Sequence, residues 1–131
     1  MPRYQILIEY LGSNFRGWQV QSKGKTVQGL IQKKISKLLN KKIIINGAGR
    51  LDSGVHAIEQ SAHFDFNKEI ENKNRFLKSI NYFLRKENVS ILALKKKDEN
   101  FHARFSAKMR IYTYIIINRL SEPVLEKNKS W

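Results

Sequence analysis

The residues with the most obvious chemical potential are concentrated in the stretch NGAGRLDSGVHAIEQSAHFDF, residues 46–66. Arg50 lies two positions before Asp52, so the two side chains can emerge on the same side of a strand end. An arginine placed there can hold a phosphate or keep a neighbouring carboxylate ionised. Glycines surround the pair, which lets a ligand or another chain approach the backbone closely. This pattern suits a carboxylate nucleophile better than a proton donor.

The same residues also fit structural roles that involve no chemistry. On its own, LDSG is typical of a turn in which the aspartate caps its own backbone. Ser53 has no credible catalytic triad, and no phosphate-binding glycine fingerprint is present. The histidines His56, His63 and His102 are too far apart for a local zinc pattern. For His63, a hydrogen-bonded or surface position in a strand is the more common situation. We therefore expect no metal site.

The charge of the chain points to a polyanionic partner. Among its 131 residues, 25 are Lys or Arg and 11 are Asp or Glu, which gives a net charge of +14. Such an excess favours nucleic acid binding, although an AT-rich genome also inflates surface lysine. The absence of cysteine excludes disulfides and thiolate metal sites. No signal peptide and no apolar run of ~20 residues is visible, so we expect a cytoplasmic protein with no membrane partner.

Hydrophobic periodicity predicts the elements that must position Arg50 and Asp52. The predicted strands cover residues 3–10, 42–47, 56–66, 89–96 and 110–118, and helices run from Val27, capped by Thr26, to about Asn40 and from near Asn74. This order predicts one α+β domain over residues 1–131. We expect a ferredoxin-like (split β-α-β) layer with a mainly antiparallel sheet, two helices on one face and the other face free.

Aromatic residues with two possible roles lie outside the central motif. Phe15 and Trp18 lie in the long loop after the first strand, where they are either a buried anchor or a contact surface. Arg110, Tyr112 and Tyr114 alternate along one face of the last predicted strand. That alternation fits half-buried packing, and it equally fits aromatic rings offered to nucleic acid bases.

Three segments, in order, resemble the tRNA pseudouridine synthase A family. GAGRLDSGVHAIEQSAHFDF is similar to its G-[AS]-G-R-T-D-[AK]-G-V-H-A…Q-V-A-H-F signature. IEYLGSNFRGWQVQ…TVQGLIQKKI resembles its Y-D-G-x-x-F-x-G-W-Q…T-V-Q segment. ENFHARFSAKMRIYTYIIIN resembles its D-F-H-A-R-F-S-A-x-x-R-x-Y-x-Y segment. The resemblance covers essentially the whole chain, which makes coincidence a poor explanation.

The resemblance implies a function and a set of roles. It implies an isomerase that converts uridine to pseudouridine at positions 38, 39 and 40 of the tRNA anticodon stem-loop, without cofactor or metal, as a homodimer. Asp52 corresponds to the catalytic aspartate, Arg50 to the arginine that displaces the target base, and Tyr112 to the tyrosine that stacks on the uracil. The other expected RNA contacts are Arg16, Trp18, Gln19, His56, Arg104 and Arg110.

The chain departs from the family pattern in two ways. Leu51 replaces the threonine of the signature, and Ser53 occupies its Ala or Lys position. Family members are also about twice as long, because a second domain completes the cleft. Two hypotheses follow: the chain is the N-terminal, aspartate-bearing half of a synthase, or it is a catalytically silent tRNA-binding or RNA-binding domain.

Overall fold

The computed structural model describes residues 1–12, 15, 17–18, 26–48 and 57–103, with the side chain of Ile58 excepted. The elements in chain order are β1 (Arg3–Tyr10), α1 (Val27–Leu39), β2 (Asn46–Gly47), β3 (Ala57–Asp65), α2 (Lys73–Leu84) and β4 (Val89–Lys97). The strand predicted over residues 110–118 lies outside the described residues. Within them, no helix is long and apolar enough to cross a membrane.

The sheet has the order β2-β3-β1-β4, and every neighbouring pair is antiparallel. The helix α1 connects β1 to β2, and β3 lies between these two strands. The helix α2 connects β3 to β4, and β1 lies between them. This arrangement confirms the predicted α+β, ferredoxin-like layer.

Both helices pack on the same face of the sheet. Buried side chains alternate with more exposed ones along β1, and the buried residues are Tyr4, Ile6, Ile8 and Tyr10. They share one apolar cluster with a buried stripe on each helix, formed by Val27, Ile31 and Ile35 on α1 and by Phe76, Ile80 and Leu84 on α2. Each fully buried aliphatic side chain contributes about 1.5–3 kcal/mol, so this shared core is the main source of stability.

Side-chain caps set where the helices begin. Thr26 accepts a hydrogen bond from the Gly29 N–H at 3.3 Å, as the sequence predicts, and Asn72 accepts one from the Arg75 N–H at 3.0 Å. Each cap satisfies a donor that has no partner inside the helix. The helix α1 ends before Asn40, whose φ of 52° is left-handed.

The strand predicted over Lys42–Gly47 is largely wrong, since only Asn46–Gly47 is a strand. The reason is that helix side chains, spaced four residues apart, bind this backbone: Gln28, Gln32 and Ser36. Ile43 donates to the Ser36 hydroxyl at 2.9 Å, and Ile45 donates to Gln32 Oε1 at 3.0 Å. Gln28 Nε2 donates to the Ile45 carbonyl at 2.5 Å. Ile43 and Ile45 are buried against α1, Ile44 is exposed, and no strand of the described residues pairs with this stretch before Asn46.

Candidate functional site

The central motif belongs to the connection between two paired strands. Asn46 pairs with His63 and Gly47 with Ala62, and the Ala48 N–H donates to the Ser61 carbonyl at 2.8 Å. This pairing fixes the strand end that leads into the connection. The following predicted site residues lie outside the described residues: Arg16, Gln19, Arg50, Asp52, His56, Arg104, Arg110 and Tyr112. Their roles stay predictions.

Trp18 is the predicted site residue that the structure describes, and it is buried. Its side chain is 3% exposed, and its ring stacks on that of Tyr10 with centroids 6.4 Å apart. Phe15 is also 3% exposed and meets Tyr10 edge-on at 6.3 Å. The buried-anchor alternative is confirmed for both aromatic residues. The contact with RNA that the family resemblance implies for Trp18 stays a prediction.

The indole of Trp18 lies against the backbone of β2. A Cβ atom added at Gly47 would lie 2.4 Å from Trp18 Nε1 and 2.6 Å from Cε2. The φ angle of Gly47 is not positive, so the glycine is needed here for space and not for an unusual dihedral. The contact ties the loop after β1 to the strand that precedes Arg50 and Asp52.

A second set of polar side chains lies on the sheet face opposite the helices, which we call the open face. Cross-strand pairing places the following residues there: Arg3, Gln5, Ser61, His63, Asp65, Lys95 and Lys97. Gln5 Nε2 donates to the Ser61 hydroxyl at 2.8 Å. Lys95 and Lys97 lie opposite Gln5 and Arg3 on β4, the outermost strand of the described part of the sheet. Near Arg3 the open face is therefore polar and carries three cations against one carboxylate, whereas Leu7, Ala93 and Glu9 lie towards its other end.

Arg3 and Asp65 form a two-pronged ion pair on the open face. Arg3 Nε donates to Asp65 Oδ1 at 2.8 Å, and Nη2 donates to Oδ2 at 3.0 Å. The hydrogen bonds from the guanidinium lower the pKa of Asp65 below its ordinary value. The remaining branch, Nη1, donates to the carbonyl of Phe101 at 2.6 Å. The ion pair with Asp65 thus holds the Arg3 guanidinium in place, and its Nη1 binds the segment that follows β4.

His63 binds the same segment from the neighbouring strand. Its Nδ1 accepts a hydrogen bond from the Ala103 N–H at 3.0 Å, so that nitrogen carries no proton. The side chain is 2% exposed, and the rings of Phe101 and His102 pack on it with centroids at 6.0 Å and 4.5 Å. Burial, helped by the nearby His102 and Arg3, lowers the pKa of His63 to about 4. His63 is therefore neutral at physiological pH.

These contacts test the sequence interpretation of the histidines. His63 is hydrogen-bonded, which is one of the two situations expected for it from the sequence. The roles of Arg3 and Asp65 were not predicted from the sequence. They depend on the β1–β3 register and on contacts between residues up to 98 positions apart. The sequence offers one signal for Arg3: it alternates with the apolar residues of β1, which indicates that its side chain lies on the opposite face of the sheet.

Comparison with known proteins identifies the family. A family model described as tRNA pseudouridine synthase matches residues 6–106. The chain belongs to the tRNA pseudouridine synthase family. The range matched by the tRNA pseudouridine synthase model contains Arg50, Asp52 and Arg104, but it ends before Arg110 and Tyr112. The motif between β2 and β3 thus lies inside the part that defines the family.

Curated relatives that match this chain bear the name tRNA pseudouridine synthase A. The protein from Pelagibacter ubique is 61% identical over 131 residues, which are 100% of this chain and 53% of the relative. The Ehrlichia ruminantium protein is 43% identical, with 98% of this chain and 52% of the relative covered. The Paramagnetospirillum magneticum protein is 41% identical, with 100% and 51% covered. The chain spans about half the length of these tRNA pseudouridine synthase relatives.

Proposed function

We propose that this chain is the N-terminal, aspartate-bearing half of a synthase that converts uridine to pseudouridine in the anticodon arm of tRNA, at positions 38, 39 and 40. The observation that carries the proposal is the GRLDSG motif, in the connection between β2 and β3 and inside the range that the family model matches. The relatives named tRNA pseudouridine synthase A support tRNA as the substrate.

The proposed chemistry assigns one reacting group to the protein. The N1–C1′ bond of uridine breaks, the uracil turns, and a C5–C1′ bond forms in its place. C5 then loses its hydrogen, and N1 ends the reaction protonated, so the isomerisation needs no external reagent. An ionised Asp52 would begin it, either by attacking C1′ or by removing a proton from the sugar to give a glycal.

The proposed RNA contacts follow from the cost of exposing the base. A stacked uridine must leave the helix before it can react, which costs a few kcal/mol. Tyr112 stacking on the uracil, worth ~1–3 kcal/mol, and Arg50 filling the vacated gap would offset that cost. On the open face, Lys95 and Lys97 suit the phosphate backbone. This electrostatic part of the affinity weakens steeply with added salt.

A second candidate function, a catalytically silent tRNA-binding or RNA-binding domain, is consistent with the partial coverage of the relatives but is not favoured by it. Because the chain spans about half of its relatives, a form without the remaining half would lack the other wall of the cleft. Asp52 would then be too exposed to water for efficient catalysis. Such a form would act as a tRNA-binding domain without isomerase activity.

Release of tritium separates the two functions. Transcribed tRNA labelled with tritium at uracil C5 loses the label to water only when the C5–H bond breaks. We expect the gene product that carries this chain to release tritium, and Asp52→Asn to reduce the rate by at least 1,000-fold. Asp98→Asn, at an exposed aspartate just after β4, is the matched control. Tight tRNA binding without tritium release would favour the silent binding domain instead.

A further inference from the structure

The segment Phe101–Ala103 is bound to the open face by main-chain hydrogen bonds. Arg3 Nη1 on β1 donates to the carbonyl of Phe101, and His63 Nδ1 on β3 accepts from the N–H of Ala103. Two neighbouring strands thus grip the backbone of one short segment at both of its ends. The side chain of Ala103 is 2% exposed, so the segment is packed as well as hydrogen-bonded.

Both sheet residues are themselves held in place. Asp65 takes two of the donors of Arg3, which leaves Nη1 pointing at the segment. The charged groups facing His63 are Arg3 and Asp65 on the sheet, with the imidazole of His102 on the segment. Lys97 adds a cation 5.4 Å from the centroid of the Phe101 ring. The arrangement is preorganised on the sheet side, and the segment supplies only peptide groups and rings.

We propose that His63 and Arg3 are positioning residues, which fix the main chain of Phe101–Ala103 and so restrict where the backbone can continue to Arg104, a predicted RNA contact. Arg104 follows Ala103 directly, and consecutive Cα atoms are about 3.8 Å apart. Fixing Ala103 therefore limits where Arg104 can start. The inference rests on the proposed function, because that function gives Arg104 its contact with tRNA.

Two substitutions at His63 separate the hydrogen bond from packing. His63→Asn keeps an acceptor oxygen close to the position of Nδ1 but loses the ring. His63→Phe keeps a planar ring of similar size but has no acceptor. We expect exchange of the Ala103 amide hydrogen, followed by NMR, to be at least tenfold faster in His63→Phe than in the parent. In His63→Asn we expect it to stay within about threefold of the parent.

The functional readout uses the gene product that carries this chain, with tRNA as substrate. We expect His63→Phe to lower kcat/KM for pseudouridine formation at least tenfold, mainly through KM, since positioning affects binding more than bond cleavage. His63→Asn should recover most of that loss. Arg3→Lys keeps the positive charge but loses the branched donor set, so we expect faster exchange of the Phe101–Ala103 amides and a raised KM.

The opposite pattern would overturn the proposal. If His63→Phe retains parental exchange and KM while His63→Asn loses both, packing and not the hydrogen bond holds the segment. If His63→Phe does not fold, a folded His63→Asn with an unprotected Ala103 amide overturns the proposal in the same way. A parent protein that makes no pseudouridine contradicts the proposed function separately. In that case the Kd for tRNA replaces kcat/KM, and equal values for parent and His63→Phe overturn the positioning role.

Discussion

Replacing Gly47 by alanine should destabilise the protein through one identifiable clash. The new methyl carbon would lie 2.4 Å from Trp18 Nε1 and 2.6 Å from Cε2, about 1 Å closer than ordinary contact. The indole is rigid, 3% exposed and stacked on Tyr10, so it has little room to retreat. Overpacking of this kind costs about 1–3 kcal/mol, and we expect a value of about 2–3 kcal/mol here.

Urea unfolding followed by circular dichroism measures the effect, and a double-mutant cycle identifies its cause. In a Trp18→Phe background the smaller ring leaves room for the methyl group, so Gly47→Ala should cost less than about 1 kcal/mol. The coupling between the two positions should therefore exceed about 1 kcal/mol. Gly29→Ala, within α1, is a matched control that should stabilise by up to about 1 kcal/mol through helix propensity. Equal costs of Gly47→Ala in both backgrounds would refute the reasoning.

Three further predictions concern pH, a helix–strand contact and salt. The pKa of His63 falls from 6.5 to about 4 on folding, so between these values the unfolded chain binds a proton that the folded chain does not. Its contribution to stability is complete above pH 6.5 and is lost as pH falls towards 4, by about 2 kcal/mol between pH 7 and pH 5. Urea titrations should show this slope reduced in His63→Asn, and an unchanged slope would contradict the assignment. Asn81 accepts from the Ile91 N–H at 2.8 Å and donates to its carbonyl at 3.0 Å, so Asn81→Ala should cost about 2–3 kcal/mol of unfolding free energy. A loss of less than about 1 kcal/mol of unfolding free energy in urea would show that water takes over the hydrogen bonds that the Asn81 amide makes to Ile91. Replacing both Lys95 and Lys97 by Gln should reduce the slope of log Kd for tRNA against log salt concentration by about one to two, because one to two fewer counterions are released on binding. Fluorescence anisotropy measures this slope. An unchanged slope would show that neither lysine contacts a phosphate.

The sequence predicts those parts of the fold that depend on local periodicity. The alternation of β1 predicts its bounds, Arg3–Tyr10, as the structure has them. The start of α1 follows from Thr26, whose hydroxyl caps the first turn. The order of elements then leads to the split β-α-β layer, because a helix that links two strands of one sheet allows few arrangements.

The remaining features depend on partners that are distant in sequence. An apolar run such as residues 42–47 is typical of a strand, and only the polar stripe of α1 shows that its backbone is bound by a helix instead. The grip of Arg3 and His63 on Phe101–Ala103 likewise requires the β1–β3 register. For the central motif, the resemblance to the family signature is what predicts a catalytic role for Asp52, whereas the four letters LDSG alone favour an ordinary turn.

Position-resolved mapping of pseudouridine tests the central proposal most directly. Unmodified tRNA is incubated with the gene product that carries this chain, and with its Asp52→Asn variant, and each uridine of the anticodon arm is then examined for conversion. The proposal predicts pseudouridine at positions 38, 39 and 40 with the parent and none above background with Asp52→Asn. Equal conversion by the two proteins would show that Asp52 is not the essential carboxylate.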